Sequence, residues 1–91
     1  MRILLAEDDI ALAARIRSAL EEAGFVVVHA ADGVDAEYQG QVEEFDAAVV
    51  DLGLPDLDGL SVLERWRAAG RGLPVLVLTA RGRWHDKLAG F

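Results

Sequence analysis

Short apolar runs alternate along the chain with longer segments whose apolar residues recur every three or four positions. Four of the runs have the length and aliphatic, β-branched composition of strands that are buried in a sheet. They are Ile3–Ala6, Phe25–His29, Ala47–Val50 and Val75–Leu78. The sequence therefore predicts four strands.

The most regular helical pattern follows the first strand. Apolar residues recur from Ile10 to Ala23 at three- and four-residue spacing. Asp9 stands where an N-cap is expected, and Gly24 stands where a left-handed residue ends a helix. The sequence predicts a helix between them.

Two further segments between strands also have the helical period. After a cap at Asp32, apolar residues four apart share one side of a predicted second helix, and a third helix follows a cap at Asp58. The apolar positions are Val34, Tyr38 and Val42 in the second helix, and Leu60, Leu63 and Trp66 in the third. We expect Trp66 to lie in the core. After a turn at Arg81-Gly82, the last residues predict one or two more helical turns.

Strands that alternate with helices predict an α/β fold, a doubly wound parallel sheet with helices on both faces. Ligands of such sheets bind at the carboxyl ends of the strands, where the strand order reverses. Here these ends carry Glu7 and Asp8, Asp51, and Thr79. We therefore expect these side chains to gather at one edge of the sheet.

Composition narrows the classes of protein that remain. The 91 residues suit one small domain, and the formal net charge of -7 argues against nucleic-acid binding by this segment. The absence of cysteine excludes disulfides and thiolate metal sites. The first apolar run ends at acids too early for a signal peptide, and no run is long enough to span a membrane. We expect a cytoplasmic protein with no membrane partner.

A cluster of three carboxylates favours the binding of a cation. Ionised carboxylates at close range repel one another, and a divalent ion removes that conflict. Mg²⁺ suits an all-oxygen set better than Zn²⁺, because no His or Cys is expected nearby. Beside such an ion, Asp51 could attack a phosphoryl group, and the hydroxyl of Thr79 could hydrogen-bond one of its oxygens.

These residues fall in three segments, "ILLAEDD", "VVDLGLPDLDG" and "PVLVLTARG". In this order and spacing, the chain resembles the receiver domain of two-component response regulators. The resemblance is strongest to the subfamily that carries a winged-helix DNA-binding output domain. It covers residues 1–91 and implies the flavodoxin-like receiver fold.

The resemblance implies a role for each matching residue. Asp51 would be the phosphoacceptor, with Mg²⁺ bound by Asp51 itself, by Asp8 directly and by Glu7 through water. The backbone carbonyl of Gly53 would be a further ligand, and Thr79 would be the switch hydroxyl. Gly53 and Arg81, each two residues beyond a site residue, would tune the lifetime of the acyl phosphate.

The sequence also departs from the family pattern. Receivers have a fifth strand, which begins with a lysine that contacts the phosphoryl group, and a fifth helix. The sequence has no segment that matches this strand or this helix. Lys87 is not the expected lysine, because it falls in the region of the fourth helix. The sequence therefore predicts a truncated receiver of four strands and three to four helices, without its output domain. An open fourth strand invites pairing, so we also predict a homo-oligomer, with exchanged elements as one form.

Several residues have simpler interpretations. Asp9 is expected to cap a helix, and Asp56 and Asp58 to serve the turn and the cap of the third helix. A calcium loop would require acids where Leu54 and Arg65 stand, so that interpretation fails. His29 is expected away from the acidic cluster as a surface or structural residue, and His85 is expected to be a solvated residue of the fourth-helix segment.

The pattern of residues suggests three possible functions. The leading hypothesis is a module, not an enzyme, that accepts a phosphoryl group from a sensor histidine kinase and controls DNA binding through the output domain of the full-length protein. A phosphatase with an aspartyl nucleophile usually has a second acid two residues later, where this chain has Gly53. The alternative is a receiver-like interaction or dimerisation module that works without phosphorylation.

Overall fold

The structure is a computed structural model that describes residues 1–78. Strands and helices alternate strictly along this part of the chain. In order they are β1 (Arg2–Ala6), α1 (Ile10–Glu22), β2 (Val26–Ala30), α2 (Gly33–Val42), β3 (Ala47–Asp51), α3 (Gly59–Ala68) and β4 (Val75–Leu78). The four predicted strands and the three predicted helices between them are confirmed. The predictions for Thr79, Arg81, His85, Lys87 and a fourth helix fall outside the described residues.

All strands of the sheet are parallel, in the order β2-β1-β3-β4. The order reverses between β1 and β3, because the chain moves outward to β2 and then returns past β1. The register pairs Ala6 with both Ala30 and Val50, and it pairs Asp51 with Leu78. The residues that follow β1 and β3 therefore lie side by side at one edge of the sheet. This is the predicted doubly wound, flavodoxin-like fold.

Each helix begins at an aspartate that the sequence marked as a cap. The carboxylate of Asp9 accepts the Leu12 N–H at 3.0 Å, and that of Asp32 accepts the Asp35 N–H at 2.7 Å. Asp58 accepts the Ser61 N–H at 2.9 Å, and this hydrogen bond lowers the pKa of the Asp58 carboxyl. These bonds satisfy N–H groups that have no partner within a helix.

The ends of α1 and α3 follow the glycine rule for helix termination. Gly24 and Gly70 have φ values of +96° and +82°, in the left-handed region that glycine adopts without a steric penalty. After Gly70, the Arg71 N–H donates to the Trp66 carbonyl at 2.8 Å. A single glycine in the left-handed conformation is therefore enough to turn the chain away from the helix axis after α1 and after α3.

Helices cover the two faces of the sheet unequally. On one face, α1 packs over a cluster built from Ile3, Leu5, Ala13, Val27 and Val49. On the other face, α2 and α3 cover a larger cluster that includes Leu4, Val50, Val62 and Trp66. Trp66 is fully buried, as predicted, and its indole N–H donates to the Glu37 carbonyl at 3.1 Å.

The second helix is confirmed, but the apolar side that predicted it is not its buried side. Val34, Tyr38 and Val42 are exposed, while Gly33, Ala36 and Gly40 face the core. A Cβ atom on Gly40 would lie only 2.3 Å from the indole of Trp66. Helix α2 therefore packs through small residues, which leave room for the tryptophan of α3.

Within residues 1–78, no helix has the length and apolar character that crossing a bilayer requires.

Candidate metal and phosphoacceptor site

The buried run of β3 ends on a carboxylate because a tight loop begins there. Asp51 is the last residue of β3 and is only 2% exposed. Its Oδ1 accepts the Gly53 N–H at 3.1 Å, and the Gly59 N–H donates to the Leu52 carbonyl at 3.1 Å. A Cβ on Gly59 would lie 2.3 Å from the Asp51 carbonyl oxygen. The glycine at the start of α3 therefore lets the helix approach the end of the strand.

The far end of this loop is held by α2. The Pro55 carbonyl accepts two N–H groups, from Leu57 at 2.8 Å and from Gly33 at 3.0 Å. The bond from Leu57 closes a three-residue turn around Asp56, whose φ of +69° is tolerated better by Asp than by most residues. Asp56 therefore serves the turn, as predicted.

Glu7 follows β1 and is completely buried. Its N–H donates to the Ala30 carbonyl at 3.0 Å, which continues the pairing of β1 with β2 by one residue. Its Oε2 accepts the Asp9 N–H at 3.0 Å, whereas its Oε1 is buried and has no hydrogen-bond partner within the described residues. A buried carboxylate oxygen without a partner is costly unless a cation or a proton compensates it.

Three carboxylates converge at this edge of the sheet. Glu7, Asp8 and Asp51 each offer one oxygen atom, and these atoms all lie within 4.8 Å of one another. Glu7 and Asp51 are buried, but Asp8 is exposed. The cluster therefore has an inner pair of carboxylates and one carboxylate on the side of the solvent.

The surroundings of Glu7 disfavour its ionised form. Burial raises the pKa of Glu7 from its ordinary value of 4.5 to about 7, and the nearby carboxylates of Asp51 and Asp8 add to this effect. The hydrogen bond from the Asp9 N–H acts in the opposite direction and lowers the pKa. Near neutral pH, the cluster therefore gains from any cation that allows all three groups to ionise.

The donor set fits a hard divalent cation. All three side chains offer oxygen, and Oε1 of Glu7 has no hydrogen-bond partner within the described residues. Mg²⁺ prefers oxygen ligands, binds through one or two carboxylates and retains water. The exposed side of Asp8 leaves room for such water. The acidic cluster is thus a fitting Mg²⁺ site.

The structure brings together the predicted residues that it describes. Glu7, Asp8 and Asp51 meet at the carboxyl edge, and Gly53 lies in the adjoining loop. Their separate roles as phosphoacceptor and ligands stay predictions. Thr79 and Arg81 lie outside the described residues, so their roles also stay predictions.

His29 is not part of the acidic cluster, but it serves as a structural residue beside it. Its Nε2 lies 2.7 Å from the Glu7 carbonyl oxygen. Since a carbonyl oxygen only accepts, this nitrogen carries the proton. The parallel register is the signal that could have revealed the contact: His29 pairs with Leu5, two residues before Glu7. His29 thus fixes the backbone from which the Glu7 side chain projects.

Comparisons with known proteins agree with this geometry. Residues 3–91 match the family described as response regulator receiver domain. The transcriptional regulatory protein PhoP of Escherichia coli K12 is 46% identical over 88 residues. The virulence transcriptional regulatory protein PhoP of Salmonella typhimurium 14028s is 47% identical over the same length. These matches cover 97% of this chain but only about 40% of either relative.

Solved structures show the same similarity. The receiver domain of the Francisella response regulator 1452 superposes with a TM-score of 0.86 at 32% identity, over 98% of this chain and 74% of that one. The receiver domain of the sensor histidine kinase PA1611 from Pseudomonas aeruginosa PAO1 gives 0.85 at 35% identity, over 96% and 73%. That structure has a magnesium ion coordinated in its active-site cleft. The resemblance stated from the sequence is confirmed: the chain belongs to the response regulator receiver domain family.

Proposed function

We propose that the chain accepts a phosphoryl group on the carboxylate of Asp51, with Mg²⁺ bound beside it. The observation that carries the proposal is the position of Asp51: it is buried at the end of β3, and its carboxylate lies within 4.8 Å of the carboxylates of Glu7 and Asp8. A buried acid among other acids is poorly suited to a structural role alone. Such a group suits a reaction in which a cation and a phosphoryl group arrive together.

The donor is the phosphohistidine of a sensor histidine kinase. A carboxylate oxygen of Asp51 attacks the phosphorus in line with the leaving imidazole, so that an O–P bond forms as the N–P bond breaks, and the imidazole takes up a proton. Mg²⁺ supplies charge neutralisation for the phosphoryl oxygens. Water later hydrolyses the acyl phosphate and regenerates the carboxylate. The chain thus acts as a phosphoacceptor, rather than as an enzyme with a separate substrate.

Each residue of the site would have its own role in binding the ion or the phosphoryl group. Asp8, which is exposed, and Asp51 would bind the ion directly, while Glu7 would hold it through water, and the Gly53 carbonyl would be a further ligand. The Gly53 N–H already donates to Oδ1 of Asp51, which fixes the orientation of the attacking carboxylate. Thr79 would supply the hydroxyl that responds to the phosphoryl group. Gly53 and Arg81 would set how long the acyl phosphate survives.

In a longer protein, this event would control a DNA-binding output domain in the cytoplasm. The PhoP relatives named above are transcriptional regulators, and this chain spans about 40% of their length. DNA contact would belong to the output domain, because the receiver segment is acidic.

The chain would also self-associate. Among residues 1–78, β4 pairs with β3 on one side only, and Leu76 on β4 is 63% exposed. An apolar strand edge is a template for pairing with a second copy. Sedimentation should therefore show a dimer or a larger species that dissociates on dilution. A monomer at high concentration would contradict this part of the proposal.

Intact mass after incubation with acetyl phosphate and Mg²⁺ tests the main proposal. We expect one added phosphoryl group in the parent chain and none in Asp51→Asn. Asp56→Asn is the matched control, because it removes a carboxylate from the same loop at a position where Asn is tolerated. It should be labelled like the parent. A folded parent chain that gains no phosphoryl group would instead favour the interaction module that works without phosphorylation.

A further inference from the structure

Helix α2 presents an apolar ridge to solvent. Val34, Tyr38 and Val42 are 56%, 60% and 56% exposed, and they lie opposite the small residues that face the core. Single apolar residues are common on protein surfaces, but three large ones in register form a continuous patch. None of the three side chains of this patch, the α2 ridge, belongs to either core cluster of the described residues.

The spacing of the ridge is that of a helix-packing surface. Side chains at positions i, i+4 and i+8 form a row that fits the groove of a second helix. The row extends for about 12 Å, because a helix rises about 1.5 Å per residue. Tyr38 lies at its centre, and tyrosine is among the residues that contribute most to protein interfaces. The geometry therefore fits a helical partner.

Carboxylates border the α2 ridge on both sides. At 100° per residue, Asp35 lies beyond one side of the row and Glu37 beyond the other. The ion pairs within the described residues use Glu21, Glu43 and Glu44, so no cation there neutralises either flanking acid. The wider sequence has the same bias, because residues 18–64, both ends included, contain twelve carboxylates and no Lys or Arg.

We propose that the α2 ridge docks an amphipathic helix of a partner protein, with an apolar stripe flanked by Lys or Arg. The apolar side chains would supply the buried centre of the interface, and the flanking cations would pair with Asp35 and Glu37. A second copy of this chain fits poorly, because the same acids would face each other. The inference goes beyond the proposed phosphoacceptor function and does not depend on it.

Three synthetic peptides, each about five helical turns long, test the proposal. The first has a leucine stripe flanked by lysines, the second has the same stripe flanked by glutamates, and the third keeps the lysines but replaces the stripe with serines. Each is titrated into the isotope-labelled chain, followed by the backbone amide signals. We expect the first peptide to shift signals of residues 33–42, and to bind at least about tenfold more tightly than either of the others.

Matched variants assign the binding to the α2 ridge. Tyr38→Gln should weaken binding of the first peptide at least about tenfold. Ile10→Gln removes an equally exposed apolar side chain from α1, on the other face of the sheet, and should leave binding unchanged. Gln is a good helix former, so neither variant should unfold the chain. Asp51→Asn should also bind like the parent.

Charge variants test the flanking acids separately. Asp35→Asn/Glu37→Gln should weaken binding about threefold at low salt. Glu22→Gln/Glu64→Gln has the same net charge and should bind like the parent. Signal shifts outside α2, equal binding by the first two peptides, or equal binding by the two apolar variants would overturn the proposal. Self-association that disappears in Tyr38→Gln would identify a second copy as the occupant, and would overturn it too.

Discussion

The buried carboxyl of Glu7 should make the free energy of unfolding depend on pH. The substitution Glu7→Gln should remove this dependence. Its pKa is raised to about 7 from 4.5. Below pH 4.5, Glu7 is protonated in the folded and the unfolded chain. Between pH 4.5 and 7, the folded chain keeps a proton that the unfolded chain has released, so the stabilisation that this proton provides is lost as pH rises. Above pH 7, the loss is complete.

The size of the effect follows from the same shift. Each pKa unit corresponds to roughly 1.4 kcal/mol, so the loss across this window is on the order of 3 kcal/mol. Glu7→Gln keeps the shape of the protonated side chain and cannot ionise. The variant should therefore match the parent within about 1 kcal/mol at pH 5 and exceed it by roughly 2–3 kcal/mol at pH 8 in the absence of Mg²⁺.

Urea unfolding followed by circular dichroism, with a chelator present, measures both values. Glu22→Gln removes an exposed carboxylate of α1 and should show no gain that depends on pH. Added Mg²⁺ should stabilise the parent at pH 8, because the ion compensates the three carboxylates. If the difference between Glu7→Gln and the parent were the same at pH 5 and pH 8, the account of Glu7 would be refuted.

Three further substitutions test the packing that holds the site, each by urea unfolding. Trp66→Phe removes the hydrogen bond to the Glu37 carbonyl and leaves a small void, so it should cost roughly 1–3 kcal/mol; unchanged stability would contradict the buried position. Asp32→Ala removes the cap of α2 and should lower the free energy of unfolding by about 1 kcal/mol. Asp32→Asn can still accept the Asp35 N–H, so it should keep most of the stability of the parent. Arg71→Met removes the hydrogen bonds from the guanidinium to the carbonyls of Gly40 and Glu43 and should lower the free energy of unfolding by about 1 kcal/mol. Arg71→Lys should recover only part of this loss, because an ammonium group lacks the fork of donors that the guanidinium has.

The alternation of strands and helices and the position of the acids could be predicted because they follow from short-range patterns and from the rules of parallel sheets. Apolar runs and caps fix the alternation of strands and helices, and parallel strands place their carboxyl ends together. Asp9, Asp32 and Asp58 illustrate this, since each cap lies at the position that the sequence marked. To predict that Asp51 and Glu7 lie close together, only one further rule was needed: the carboxyl ends of adjacent parallel strands meet at the same edge of the sheet.

The orientation of α2 could not be predicted in the same way. Periodicity defines the apolar side of a helix, but it does not say whether that side or another faces the sheet. Here the bulk of Trp66 requires a neighbour as small as Gly40, so the core selects the glycine side. The valines and the tyrosine then face solvent. The outcome depends on how the Trp66 ring packs against the backbone of Gly40, 26 residues earlier in the chain, which no local pattern encodes.

The electrostatics of the site also needed three-dimensional information. Sequence order shows that Glu7 follows a strand, but not that its side chain turns inward while that of Asp8 points outward. The contact between His29 and the Glu7 carbonyl depends on the register of β1 and β2. The burial of Glu7 beside Asp51 and Asp8 raises its pKa to about 7, so the inward turn of this side chain influences how strongly the site favours a cation.

The most direct test of the central claim is to map the phosphorylated residue by mass spectrometry after exposure to acetyl phosphate, with Mg²⁺ or with a chelator. We expect a single phosphoryl group on Asp51 that forms only with Mg²⁺. A phosphoryl group on another residue, labelling that persists in the chelator, or no labelling of a folded chain that binds Mg²⁺ would contradict it.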